Sequence, residues 1–247
     1  MGALPSSHYA SLSEVESSYF WHICRLRWVD WLIRRNWPTP SRLKVLDYGC
    51  GTGGLLDALD QRFGFAESLG VDGFAEAIKH ASRRGPRYRV VDPYTYVPNV
   101  DVDLILMMDV VEHVERDEDL LRRLTSSLRP GAGLIISAPA GPRFYSRWDH
   151  LLGHHRRYTR RAMADMAARA GLDILFLSHA FSFLVPGVLL RRRASPPAEL
   201  FDELAMFPPV PASVNRALIA IGDLERAIAS VVSIPFGTSL IMLAVKR

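Results

Sequence analysis

The chain has 247 residues, 49% of them hydrophobic, which is enough for one sizeable α/β core and excludes an intrinsically disordered protein. The formal net charge of +4 is too small to argue by itself for nucleic-acid binding. Of the two cysteines, Cys24 and Cys50, the second lies inside a glycine-rich stretch, so no disulfide framework is expected and a reducing, cytoplasmic setting fits.

The first residues, Met1-Gly2-Ala3-Leu4-Pro5-Ser6-Ser7, lack a basic start followed by an apolar core, so no signal peptide is expected. Ser11-Leu12-Ser13-Glu14 has capping-box form, and Val15, Phe20, Ile23, Leu26, Val29, Leu32 and Ile33 then recur at helical spacing. One helix is predicted from there to about Asn36, where Pro38 and Pro40 stop it. Its aromatic stretch, which includes Trp21, reads as a cover over a sheet edge or a ligand, or as a wall of a substrate pocket.

A strand is predicted at 43–47, followed by the glycine stretch and a helix over 53–63. Further strands fall at 68–72, 88–91, 103–107, 134–138 and 172–179, with helices at 74–83, 117–128 and 159–170 between them. Residues 140–158 read as a long loop rich in Trp, His and Arg at a strand's carboxyl end, a position that tends to carry binding. Residues 181–235 form an insert with a helix near 213–232, and the last strand is placed at 236–245. Two uncharged runs, 174–190 and 227–245, approach membrane-spanning length, but Pro186-Gly187 and Pro235-Phe236-Gly237 interrupt them. Each is predicted to be a strand and a helix lying end to end. The segment 184–190 with Arg191-Arg192-Arg193 is an apolar piece with a basic end, suited to peripheral membrane contact.

The chemistry centres on Val45-Leu46-Asp47-Tyr48-Gly49-Cys50-Gly51-Thr52-Gly53-Gly54, an apolar strand ending in an acid, then alternating glycines, then a helix start. Such a loop admits a sharp turn and close approach of a ligand, and its N–H groups favour carboxylates or phosphates. The Lys-Ser/Thr ending of a phosphate loop is absent. Asp72 closes the next strand 25 residues after Asp47, where nucleoside-binding folds use an acid for the ribose hydroxyls or a helix uses an N-cap.

With its Asp47, Gly49, Gly51 and Gly53, the stretch resembles motif I of class I S-adenosylmethionine-dependent methyltransferases. Leu128-Arg129-Pro130-Gly131-Ala132-Gly133 is similar to a turn typical of that family, with Ala132 in place of one glycine. The resemblance implies a doubly wound α/β fold with a mostly parallel, seven-stranded Rossmann-like sheet. It implies one methyltransferase domain over 1–247: a helical cover (1–40), a cofactor-binding core (41–180), the insert as substrate or membrane-surface cap (181–235) and the last strand (236–247). Asp47, Gly49, Gly51, Gly53, Asp72, Gly73, Asp92 and Met108 are the expected cofactor contacts, with S-adenosylmethionine the cofactor and S-adenosylhomocysteine the product. Asp92 also reads as an ordinary turn acid before Pro93.

The segment Asp109-Val110-Val111-Glu112-His113, with the later His154, supplies the candidate catalytic residues Glu112, His113 and His154. They suit a helix start, a general base or ligands for a divalent metal. A similar Glu-x-x-Glu-His segment plus a later His occurs in metal-dependent RNA 2′-O-methyltransferases, and quinone-biosynthesis O-methyltransferases resemble the chain here too. A metal is retained as an alternative. Phe20-Trp21 with Arg25, the Asp109–His113 segment, and the run from Trp148 to Thr159 containing Gly153-His154-His155-Arg156-Arg157-Tyr158 resemble bacterial methyltransferases of polysaccharide and glycolipid assembly. That resemblance implies acceptor contacts at Trp21, Trp148, His155, Arg156, Arg157 and Tyr158. Arg156 and Arg157 read either as an anion site or as a solvated approach to a helix.

The expected function is methyl transfer to an O or N atom of a small-molecule, saccharide or lipid-linked acceptor, with no specific nucleic-acid partner. Alternatives are a metal-assisted RNA or quinone O-methyltransferase and a non-catalytic S-adenosylmethionine-binding regulator.

Overall fold

The apolar runs become seven strands: β1 (Lys44–Tyr48), β2 (Glu67–Asp72), β3 (Tyr88–Val90), β4 (Leu104–Met108), β5 (Gly133–Pro139), β6 (Leu172–Ala180) and β7 (Ser239–Lys246). The computed structural model describes residues 6–98, 101–126, 128–193 and 208–247. The strands pair in the order β3-β2-β1-β4-β5-β7-β6. The first five are parallel, and β7 runs antiparallel to both β5 and β6. Parallel strands covered on both faces need continuous apolar sequence, which is why β4 reads Leu-Ile-Leu-Met-Met and is buried throughout.

Alternation along β4 divides the core in two. Ile105 and Met107 face a layer holding Leu120, Leu121 and Leu124 of α5 (Asp117–Ser126) and Met163 and Met166 of α7 (Arg160–Arg169). Leu104, Leu106 and Met108 face the opposite layer, built on Trp28, Val29, Leu32 and Ile33 of α2 (Phe20–Asn36) and Leu56 and Leu59 of α3 (Gly54–Phe63). Burying one such Leu or Ile contributes about 1.5–3 kcal/mol, so these two layers dominate the stabilisation of the fold.

Three predicted boundaries are corrected. The N-terminal helix is two helices, α1 (Ser6–Val15) and α2, with Ser11–Glu14 inside α1 rather than at a helix start. The chain breaks because Glu16 turns towards the glycine loop and Arg84, and because extended Tyr19 precedes Phe20, whose N–H donates to Asn215 Oδ1. The long loop contains α6 (Arg147–Leu151), started by a capping box between Ser146 and Asp149. The last strand starts at Ser239, three residues later than predicted.

After β2 comes α4 (Ala75–Ala81), and the insert after β6 contributes α8 (Val185–Arg193) and α9 (Ala212–Ala229). Residues 174–190 are thus the end of β6 followed by helix, and 227–245 the end of α9 followed by β7. No helix among the described residues is long and apolar enough to cross a membrane. The proline-rich Ser195-Pro196-Pro197 of the insert lies outside the described residues.

Candidate active site

The carboxyl ends of β1, β2 and β4 share one edge of the sheet, and most of the predicted site residues gather there. Asp47, on β1, is 2% exposed, and burial pushes its carboxyl up to about 7; Arg25 opposes that rise and Asp72 adds to it. Gly49, Gly51 and Gly53 all have positive φ, which lets the chain leave β1 and enter α3 within a few residues. At Gly49 a Cβ would lie 2.4 Å from Val110 Cγ2, so the loop packs against the segment after β4 only without a side chain.

Asp72 is tied to this loop. Its Oδ2 accepts from the Gly51 N–H and its Oδ1 from the Phe74 N–H, each at 2.9 Å. Burial raises its pKa, and these backbone bonds oppose the rise. Gly73 follows, packed against Pro93, whose ring a Cβ there would meet at 3.1 Å. Asp92 is exposed and accepts from the Tyr94 N–H and the Thr95 hydroxyl, capping its own turn. Those bonds, the Tyr94 one first, lower its pKa. α1 closes over this end: Tyr9 packs on Phe74, and Glu16 accepts from Thr52 Oγ1 at 2.7 Å while pairing with Arg84. Glu16 is a contact that sequence reading missed, because its partners lie 36 and 68 residues away.

Beyond β4, Met108 is buried, and Asp109 adopts a left-handed φ of 57° with its carboxylate 3.1 Å from Arg25 Nη1. Residues Val111–His113 form a single 3-10 turn. Glu112 is 1% exposed, and neither carboxylate oxygen has a hydrogen-bond partner among the described residues. Burial, reinforced by Asp109, holds its pKa well above the usual carboxylate range. Burial also lowers His113 to about 4, with His154 contributing, so its imidazole is neutral at pH 7. The His113 and His154 rings meet edge to face with centroids 4.8 Å apart. Ligand atoms of Glu112, His113 and His154 all lie within 4.8 Å of one another.

The loop that brings in His154 is organised by Asp149, which is fully buried. It accepts from Arg157 Nε at 2.7 Å, pairs with His154 Nδ1 at 3.0 Å and closes the α6 capping box. A His154 tautomer protonated at Nδ1 leaves Nε2 as an acceptor or ligand. Arg156 donates to Asp117 Oδ1 and to the Glu115 carbonyl, while the buried Tyr158 hydroxyl donates to Asp117 Oδ2 at 2.6 Å. His155 is exposed and Trp148 half-buried. Trp21 stacks on Phe181 and over the Arg25 guanidinium. Of the expected acceptor contacts, Trp21 therefore adjoins the Arg25–Asp109 pair, while Arg156, Arg157 and Tyr158 bind the chain to itself.

A glycine-lined turn flanked by buried Asp47 and half-buried Asp72 at adjacent strand ends suits an amino-acid nucleoside, and the strand order reverses beside β1, where open α/β sheets bind ligands. A family model described as a methyltransferase domain matches residues 20–177. The chain belongs to the methyltransferase domain family. Its cofactor is S-adenosylmethionine. Trans-aconitate 2-methyltransferase of Azoarcus sp. is 31% identical over 152 residues, 58% of this chain and 59% of that protein. Ubiquinone biosynthesis O-methyltransferase of Paramagnetospirillum magneticum is 41% identical over 102 residues, 39% of this chain and 40% of that protein. The methyltransferase chain thus spans from two fifths to three fifths of the length of these curated relatives. An S-adenosylmethionine-dependent methyltransferase structure from Archaeoglobus fulgidus shares the fold at a TM-score of 0.56, with 21% identity, covering 90% of this chain and 94% of the other.

The cofactor fits the residues present. At Gly51 an added Cβ would meet nothing nearer than Leu12 Cδ2 at 4.0 Å, which leaves that part of the loop open to a ligand, while Gly49 and Gly53 pack on Val110 and Tyr88. Asp47 is a buried acid of raised pKa, the kind of group that a neighbouring ammonium returns to its ionised form. Asp72 retains lone pairs beyond its two backbone bonds.

Proposed function

We propose that this methyltransferase transfers a methyl group to an oxygen of a small-molecule acceptor. The observation carrying the reading is the convergence, at one sheet edge, of the Asp47–Gly53–Asp72 cradle with the Glu112–His113–His154 cluster. When bound, S-adenosylmethionine supplies a methyl group already activated on a sulfonium, so positioning provides most of the catalysis. In this reading Asp47 holds the amine, the glycine-loop N–H groups the carboxylate, Asp72 the ribose diol, and Asp92 and Met108 border the adenine.

His113, neutral and of low pKa, is a weak base. Proton removal is efficient when the pKa of donor and base are matched near the working pH. Such a base suits an acceptor oxygen that is acidic or already ionised, and a saccharide hydroxyl less well. The names of the trans-aconitate and ubiquinone relatives agree with acceptors of that kind. Exposed Leu189 and Leu190 on α8, followed in sequence by Arg191-Arg192-Arg193, would let the insert rest on a membrane if the acceptor is lipid-linked.

A second reading, metal-assisted transfer, is favoured by the same cluster, because the buried Glu112 oxygens lack partners among the described residues while two imidazoles lie near them. These three residues would then hold a divalent ion that orients the acceptor oxygen. The test is release of S-adenosylhomocysteine with panels of carboxylic acids, quinols and glycolipids, with and without chelator. Turnover with an acid or quinol supports the proposal, and chelator insensitivity removes the metal. Cofactor binding without turnover on any panel, unaffected by Glu112→Gln, would leave a regulatory binder.

A further inference from the structure

A small cavity, with about 10 Å³ of free volume, lies between α2 and the sheet, next to the Met108–Asp109 corner and lined also by Arg25, Trp28, Ser137 and Phe181. Its floor is set by register. Met108 of β4 pairs with Ser137 of β5, and Ser137 pairs with Ile241 of β7, so the three side chains stand in one row on the α2 face. Ser137 is the single hydroxyl in that row. Arg25 and Trp28, three apart on α2, overhang it from the same helix face.

Three residues of this wall carry a buried polar atom with no hydrogen-bond partner among the described residues: Arg25 at Nε, Trp28 at Nε1 and Ser137 at Oγ. Trp28 is 1% and Ser137 5% exposed. Buried polar atoms are rarely left unpaired, so three in one cavity require an explanation. Two of them, the guanidinium and indole N–H groups, can only donate, and the hydroxyl can also donate. What satisfies them is therefore an oxygen acceptor.

The guanidinium is already held in place. Nη1 donates to Asp109, Nη2 lies 3.4 Å from His22 Nδ1, and the Trp21 ring covers it at 4.4 Å. That leaves the edge bearing Nε, which matches a carboxylate side-on. Asp109 neutralises part of the charge, which favours one carboxylate over a phosphate dianion. Met108, Phe181 and the Trp28 ring supply apolar wall, and Ser239 adds a second hydroxyl. The cavity volume is far below the ~300–1,000 Å³ of pockets that enclose a whole ligand. The cavity therefore suits the anchoring end of an acceptor.

We propose that Arg25, Trp28 and Ser137 form a subsite that binds a carboxylate on the methyl acceptor. The inference rests on reading this sheet edge as the methyl-transfer site, since Met108 and Asp109 belong to both.

Benzoate and benzamide serve as probes by calorimetry on the protein saturated with S-adenosylhomocysteine. Trp28→Phe and Ser137→Ala each remove one donor and keep the packing. The expected results are at least tenfold tighter binding of benzoate than of benzamide, a three- to tenfold loss of benzoate affinity in each variant, and unchanged S-adenosylhomocysteine affinity. Equal affinity for the two probes, no benzoate binding, or variants that bind benzoate as wild type does would overturn the subsite and leave the cofactor site standing. Wild-type protein that fails to bind S-adenosylhomocysteine would overturn the underlying reading and the subsite with it.

Discussion

Replacing Asp47 with Asn separates the cofactor role of this acid from its effect on the fold. Burial raises its pKa from 3.8 to about 7. The folded state therefore favours the protonated form, and ionising it costs on the order of 4 kcal/mol relative to the unfolded chain. Because the folded value lies above the unfolded one, the stabilisation from protonated Asp47 is complete below about pH 4. It is lost as the pH rises through 7. Asn keeps the shape and never ionises. The ligand-free Asp47→Asn variant should therefore match wild type at pH 5 and exceed it at pH 8 by about 2–3 kcal/mol, allowing for an amide that finds fewer partners. For a chain of this size that is a rise in Tm of about 4–12 °C. Its affinity for S-adenosylmethionine should fall at least tenfold, about 1.4 kcal/mol, because an amide does not attract the ammonium. Thermal scans at the two pH values and calorimetry at pH 8 measure both quantities. A variant less stable than wild type at pH 8, with unchanged cofactor affinity, would refute the reasoning on both counts.

Other expectations follow from the same geometry. Asp72→Ala removes two backbone hydrogen bonds as well as the proposed diol contact, so calorimetry should show at least a tenfold loss of S-adenosylmethionine affinity; full retention would remove Asp72 from the site. Asp149→Ala leaves Arg157 and His154 without their shared carboxylate. Urea titration should report a loss of about 3 kcal/mol, in the range for a broken buried pair, together with reduced turnover from a misplaced His154. Gly49→Ala meets both a φ of +76° and the Val110 side chain, and should lower stability by more than about 1 kcal/mol while weakening cofactor binding. If metal-free preparations of wild type and Glu112→Gln take up Mn²⁺ equally in equilibrium dialysis, the metal reading of the cluster fails.

The strands, the glycine turn and the acids Asp47 and Asp72 were legible because their signals are local: an apolar run, then an acid, then residues suited to positive φ. The break between α1 and α2 was not, since it depends on Glu16 reaching Thr52 and Arg84 and on Asn215 capping Phe20 from 195 residues away. Arg156 and Arg157 stand out in the sequence as a charge pair, yet the acids that meet them come from α5 and α6 and appear only once the loop is folded. Ser137 gives no signal at all in the sequence. It sits among Leu, Ile and Ala, and acquires meaning only from the register that sets it between Met108 and Ile241 under Trp28.

The position of β7 has a consequence for how the molecule is made. The strand formed last in the sequence lies inside the sheet, and β6 joins the remainder through it alone among the described residues. During synthesis β1 to β5 can assemble as soon as they emerge, but β6 must wait, with its neighbour's place empty, until residues 239–246 have left the ribosome tunnel. That interval exposes the unpaired edge of β5, an opening through which nascent chains aggregate or recruit a chaperone. Shortening the chain by the length of β7 should accordingly turn a foldable protein into a chaperone client.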